Sequence, residues 1–139
     1  MKLKILFFSS NPYSDLKLDK EYNELLQSIS SSQYREHIEL KYVSATKIDD
    51  FINHLNKEKP HILHFSGHGT EDGELTLHDK TDKYDELFSK ESFQKLIQTT
   101  NNIKLIFLNA CYSKVIAEQL KSDVDYVISM NSKIKIRQL

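Results

Sequence analysis

Two short apolar runs each stop at a reactive residue. Ile62-Leu63-His64-Phe65 breaks into Ser66-Gly67-His68-Gly69, and the run from Ile103 to Leu108 breaks into Asn109-Ala110-Cys111, which holds the single cysteine of the chain. Runs this short, bounded by turn residues, read as buried strands rather than helices. A strand that is apolar on both faces belongs in the middle of a parallel sheet, and parallel neighbours need helical crossovers. The chain must therefore alternate strands with helices, and both breaks must fall at strand ends.

The rest of the chain supplies that alternation. Lys4-Ile5-Leu6-Phe7-Phe8, stopped by Ser9-Ser10-Asn11-Pro12, is a first strand. Leu18, Tyr22, Leu25, Leu26 and Ile29 recur at steps of three and four and predict a helix, with Asp19, Lys20, Glu21 and Glu24 on its polar side. Ile38 to Val43 alternates, as a half-exposed edge strand does. Thr46 with Asp49 predicts a helix start, and Ile48, Phe51, Ile52 and Leu55 form its apolar face up to Lys59-Pro60. Glu71 to Lys83 reads as an exposed hairpin or loop, with a small strand over 74–77. Ser89 caps a helix bearing Phe93, Leu96 and Ile97, Ser113 opens another, and Tyr126 to Met130 is a fifth strand. Asn131 to Leu139 shows no clear element. The expectation is one α/β domain over 1–139 with a mostly parallel sheet, in which strands one, three and four are central. Sites in such sheets form outside the carboxyl ends of the strands. If strands three and four are neighbours, His68 and Cys111 share one crevice.

Composition narrows the partners. A net charge of −1, with the basic residues spread along the chain, supports neither a nucleic-acid groove nor an anionic membrane surface. No apolar run is long enough to span a bilayer and no leader pattern opens the chain. One cysteine makes no internal disulfide, which suits a reducing, cytoplasmic compartment.

A thiol attacks as thiolate, and a nearby imidazole favours that form. Cys111 stands just before the Ser113 helix, whose N-terminal amides would favour an anion. Gly67 and Gly69 permit a tight turn, so the amides of Gly69 and Cys111 are the natural donors to an oxyanion. Spacing alone leaves a buried core cysteine equally open. His61 and His64 point to opposite faces of a strand, and no acidic residue lies close in sequence to complete a metal site, so no metal or cofactor is expected. His64 reads as a packed strand residue, and His37, His54 and His78 as surface residues. Ser66 lacks the Gly-x-Ser-x-Gly setting of a serine hydrolase, and Ser9-Ser10-Asn11-Pro12 lacks the glycines of a phosphate loop.

His64-Phe65-Ser66-Gly67-His68-Gly69 and Leu108-Asn109-Ala110-Cys111-Tyr112-Ser113 together resemble the paired motifs of CHAT domains, bacterial caspase-like cysteine peptidases related to separases and caspases. Ser10-Asn11-Pro12 is similar to the family's turn after strand one. Leu18-Asp19-Lys20-Glu21-Tyr22 resembles its first helix, and Val124 to Met130 its fifth-strand motif, with Ser129 where glycine is usual. The resemblance implies a caspase-like three-layer αβα sandwich with His68 and Cys111 as a catalytic dyad. It also implies a pocket bordered by Ser10, Asn11 and Ser66, and cleavage of a partner protein, often in bacterial defence. The family continues beyond its fifth strand into a small-subunit-like part, whereas this sequence reads Ile134-Lys135-Ile136-Arg137 and stops at Leu139. Residues 1–139 are thus expected to be a large-subunit-like portion with little activity alone. The expectation extends to association through the Tyr126–Met130 edge, with a second copy or a separate second half. The competing expectation is an interaction module that binds a partner without cutting it.

Overall fold

The computed structural model describes residues 2–13 and 17–130. The chain runs β1 (Leu3–Ser10), α1 (Leu18–Ser30), a 3₁₀ turn (Arg35–His37), β2 (Ile38–Val43), α2 (Ile48–Glu58), β3 (Ile62–Gly69), β4 (Leu75–His78), β5 (Asp85–Phe88), α3 (Lys90–Gln98), β6 (Leu105–Asn109), α4 (Ser113–Leu120) and β7 (Tyr126–Ile128). The fifth parallel strand ends at Ile128, two residues short of the expected Met130, and Asn131 to Leu139 lie outside the described residues.

Five strands pair in parallel in the order β2-β1-β3-β6-β7. The apolar strands β1, β3 and β6 are central and the alternating β2 is an edge, as their patterns predict. The chain steps one way from β1 to β2 and the other way at every later parallel step. Right-handed crossovers then put α1 on one face and α2, α3 and α4 on the other.

The larger core lies under those three helices. Leu6, Phe8, Leu63, Phe65, Ile106 and Leu108 from the sheet meet Phe51 and Leu55 of α2, Phe93 and Ile97 of α3, and Ile116 and Leu120 of α4. Phe51 is its hub, within ring-contact range of Phe8, Phe65, Phe88 and Phe93. The α1 face is more polar. Its central row is Tyr42, Phe7, His64 and Phe107, in register across four strands. His64 stacks on Phe7 at 4.2 Å between ring centroids, as a packed strand histidine.

Three expectations need correction. The stretch after β3 is not an exposed hairpin: β4 turns back antiparallel on the end of β3 and pairs with β5, and Leu75 and Leu77 are fully buried. Their alternation is the signature of a strand with one face on the core, and it outweighs the polar residues around them. The α2 start lies one residue later than expected. Lys47 is the N-cap, its N–H donates to Asp50 (3.3 Å), and the Thr46 hydroxyl bonds the Val43 carbonyl instead (3.0 Å). In α1 only Leu18 is buried, Leu26 is exposed, and Glu21 turns in towards the sheet. The Ser89 cap of α3 forms as expected, accepting the Ser92 N–H at 3.0 Å.

Candidate active site

The strand order reverses direction at β1, so the crevice at the carboxyl ends of β1 and β3 is the topological switch point of the sheet. Register carries the α1 face upwards into it. Above the aromatic row comes a polar row of Ser9, Ser66 and Asn109, in register on β1, β3 and β6. Two residues further along β3, on the same face, is His68.

The turn after β6 brings Cys111 to the same corner. A Cβ built on Gly69 would collide with the Cys111 carbonyl oxygen and reach Ala110 Cβ at 3.5 Å. Only a glycine after His68 lets β3 come this close to the cysteine turn. Gly67 performs the same service towards β1, where a Cβ would lie 2.5 Å from the Ser10 carbonyl oxygen. Cys111 is half-buried rather than a core residue. Tyr112 follows it in the left-handed region (φ 60°), a strained conformation for a residue with a side chain, and it turns the chain sharply into α4. Burial, and then the neighbouring Glu71 carboxylate, raise the Tyr112 pKa above the ordinary phenol value.

The α4 amides are already engaged, contrary to the expectation that they would serve an anion. Ser113 N–H donates to the Ala110 carbonyl (3.3 Å), Lys114 N–H to Met130 (2.9 Å) and Val115 N–H to Tyr112 (3.2 Å). Ser113 is a staple: its hydroxyl donates to the Leu108 carbonyl (3.1 Å) and accepts the Met130 N–H (2.8 Å). What remains for Cys111 is the helix field, not a set of open donors.

The loop after β1 borders the corner. Tyr13 lies edge-on to the His68 ring at 4.9 Å, and its hydroxyl donates to Asp85 (2.5 Å). Asn11 N–H donates to His78 Nε2 (3.1 Å) while His78 Nδ1 sits 2.6 Å from Asp82. Because Nε2 accepts, Nδ1 carries the proton and donates to the carboxylate. His78 is therefore a structural bridge and not a surface residue. Of the residues expected to border a pocket, Ser10 and Ser66 are fully buried. Ser10 Oγ donates to the Thr76 carbonyl (2.7 Å) and Ser66 Oγ to Glu21 (2.7 Å), so neither hydroxyl is offered to a bound chain. Asn11 is half-buried at the rim.

Beneath the corner is a polar cluster that sequence reasoning missed. The Glu21 carboxylate reaches across from α1 and takes Ser66 Oγ, His64 Nε2 (2.9 Å) and Asn109 Nδ2 (3.2 and 3.1 Å to its two oxygens). Burial works to raise its pKa, but hydrogen bonds from His64 and Ser66, the His64 charge and Asn109 outweigh burial, and the net shift is downwards. The signal was there: Glu21 lies three residues after Leu18 and four before Leu25, inside the apolar stripe. His61 is also structural, its Nδ1 accepting the Lys4 N–H at 2.9 Å. Among the described residues no group of three or more His, Cys, Asp or Glu is arranged to hold a metal ion, and no helix is long and apolar enough to cross a membrane.

Comparison with known proteins shows what the chain as a whole is similar to. Along 129 residues the chain is 30% identical to a protein of Gillisia limnaea described as a probable protease, covering 89% of this chain and 23% of that protein. Its fold matches a secreted cysteine protease of Bacteroides thetaiotaomicron, solved with an irreversible peptide inhibitor, at a TM-score of 0.60 and 12% identity. That match covers 96% of this chain and 50% of the protease, and at such identity it shows a shared fold alone. The chain thus spans less than a quarter of its curated relative and half of its structural one. Residues 4–131 match the CHAT domain model, and the chain belongs to the CHAT domain family.

Proposed function

We propose that this domain is the cysteine-peptidase core of a protein that cleaves a partner protein, with Cys111 as nucleophile and His68 as general base and acid. The observation that carries the reading is the contact of Gly69 with the Cys111 carbonyl, which seats the residue after the histidine against the cysteine turn. Family membership and the caspase-like fold support it.

In this reading His68 takes the Cys111 thiol proton and Sγ attacks the scissile carbonyl carbon. The carbonyl oxygen becomes an oxyanion, for which the Gly69 and Cys111 amides are the donors. Collapse breaks the C–N bond, and the amine leaves with the proton held by His68. Water, deprotonated by His68, then hydrolyses the thioester and restores the thiol. Asn11 and the Tyr13 ring border the path of the bound chain. A single free thiol as nucleophile suits a reducing cytoplasm, and the family resemblance favours a role in defence or regulated proteolysis.

A second reading concerns partners. Tyr126 and Ile128 of β7 are 71% and 47% exposed, and among the described residues β7 pairs only with β6. An apolar edge strand of this kind favours pairing with another chain, a second copy or a separate second half, whether or not the dyad cuts. The test of the peptidase reading is labelling by a peptidyl acyloxymethyl ketone, read by intact mass. Wild type gains one adduct, while Cys111→Ala gains none and His68→Ala gains it far more slowly. Equal labelling of wild type and His68→Ala would remove the histidine from the mechanism.

A further inference from the structure

We infer that Glu21 is a positioning residue for the Cys111–His68 pair, acting through Ser66 and Asn109. The inference deepens the peptidase reading and rests on it. Ser66 is two residues before His68 and Asn109 two residues before Cys111, and the two stand opposite each other in the β3–β6 register. One carboxylate therefore ties together the two strand ends that carry the pair. Oε1 takes the Ser66 hydroxyl, and both oxygens take the Asn109 amide. The two acceptor oxygens of Glu21 fix the Asn109 amide in one orientation, since the reverse would set the amide oxygen against a carboxylate. That orientation leaves Asn109 Oδ1 buried without a partner among the described residues, a polar cost accepted in order to hold Nδ2 on Glu21.

The third strand-borne donor, His64 Nε2, is wedged between Phe7 and Phe107 at centroid distances of 4.2 and 4.6 Å, so the carboxylate has a rigid base. Elsewhere α1 is held lower on the sheet, by buried Leu18 and by the Tyr22 ring against Phe7 and Tyr42. Glu21 is thus the link between that helix and the strand ends. A shift of α1 would be felt at both strand ends through the Ser66 and Asn109 hydrogen bonds.

A double-mutant cycle on the alkylation rate of native Cys111 tests this. Second-order rate constants with iodoacetamide are measured for wild type, Glu21→Gln, His68→Ala and the double variant, all well below their unfolding midpoints. Glu21→Gln keeps the shape but removes one acceptor oxygen. It is expected to slow alkylation about tenfold in the His68 background, the scale of a small misplacement of reacting groups. In the His68→Ala background it is expected to change little. An equal drop in both backgrounds, or no drop in the first, overturns the positioning role. If His68→Ala itself leaves the wild-type rate unchanged, the dyad has failed and the positioning role falls with it, a result distinct from the other two. Should Glu21→Gln not fold, Ser66→Ala removes a single hydroxyl from the same oxygen and must show the same background dependence with a smaller drop.

Discussion

At the scale of single residues, the corner depends on Gly69 lacking a side chain. Gly69→Ala sets a methyl group against the Cys111 carbonyl oxygen, a backbone atom with no flexible end to yield. Overpacking of this kind costs about 1–3 kcal/mol. The variant is expected to unfold at lower urea and to lose Cys111 reactivity in the fraction that stays folded; wild-type stability and alkylation together would show that the contact is loose. Glu21 gives a pH signature. Its pKa is below the ordinary 4.5 in the folded chain, so its stabilising effect is complete above that value and is lost as pH falls through the lower folded value. The difference in urea midpoint between wild type and Glu21→Gln should therefore be full at pH 7 and shrink below pH 4.5. A difference that stays constant down to pH 3 would assign it to packing rather than charge. Here the sequence was half legible. The tight backbone approach at Gly67 and Gly69 was legible, because a glycine on each side of a histidine at a strand end points to close packing there. Glu21 did not, because an acidic residue on a helix is ordinarily solvated, and its three partners come from strands 43 to 88 residues away.

Among the elements, α2 anchors the core and β7 is an exposed edge strand. Phe51→Ala would leave a void among Phe8, Phe65, Phe88 and Phe93 and is expected to cost about 3–5 kcal/mol, measured by urea unfolding. A loss below about 1 kcal/mol would mean that the four rings close over the gap. Ile128→Lys places a charge on the open edge strand, which natural edges use to block pairing. It should shift any self-association measured by sedimentation towards monomer while leaving unfolding cooperative. A wild-type chain that is monomeric at high concentration would remove a second copy as the partner of β7. The central parallel strands were readable because each is a short apolar run with a clear stop, and β2 because it alternates. The hairpin after β3 was readable as a hairpin or loop with a small strand, but its burial was not, since its apolar side chains are diluted by Glu74, His78, Asp79 and Lys80, and they join a core shared with Phe51 and Phe93 from distant helices. The α4 N-terminus misled for a related reason. The group that occupies Lys114 N–H is the Met130 carbonyl, brought back by β7, and no local pattern announces it.

For the whole molecule, the sheet order puts the two motif-bearing strands side by side, with β1 beside them at the switch point. That order follows from apolar strands seeking the centre and crossovers keeping one hand, which is why the meeting of two distant motifs was legible before any coordinates. The chemistry at the meeting point has a direct test. A thiol paired with an imidazole keeps nucleophilic thiolate at a pH where a free thiol is protonated. The measurement is the second-order rate constant of native Cys111 with iodoacetamide at pH 6.5, beside a free-cysteine peptide and His68→Ala. The account predicts wild type at least about tenfold faster than the peptide, with His68→Ala falling to the peptide's rate or below. Alkylation that proceeds only after denaturation, or at the same rate with and without His68, would contradict it and make Cys111 a structural residue.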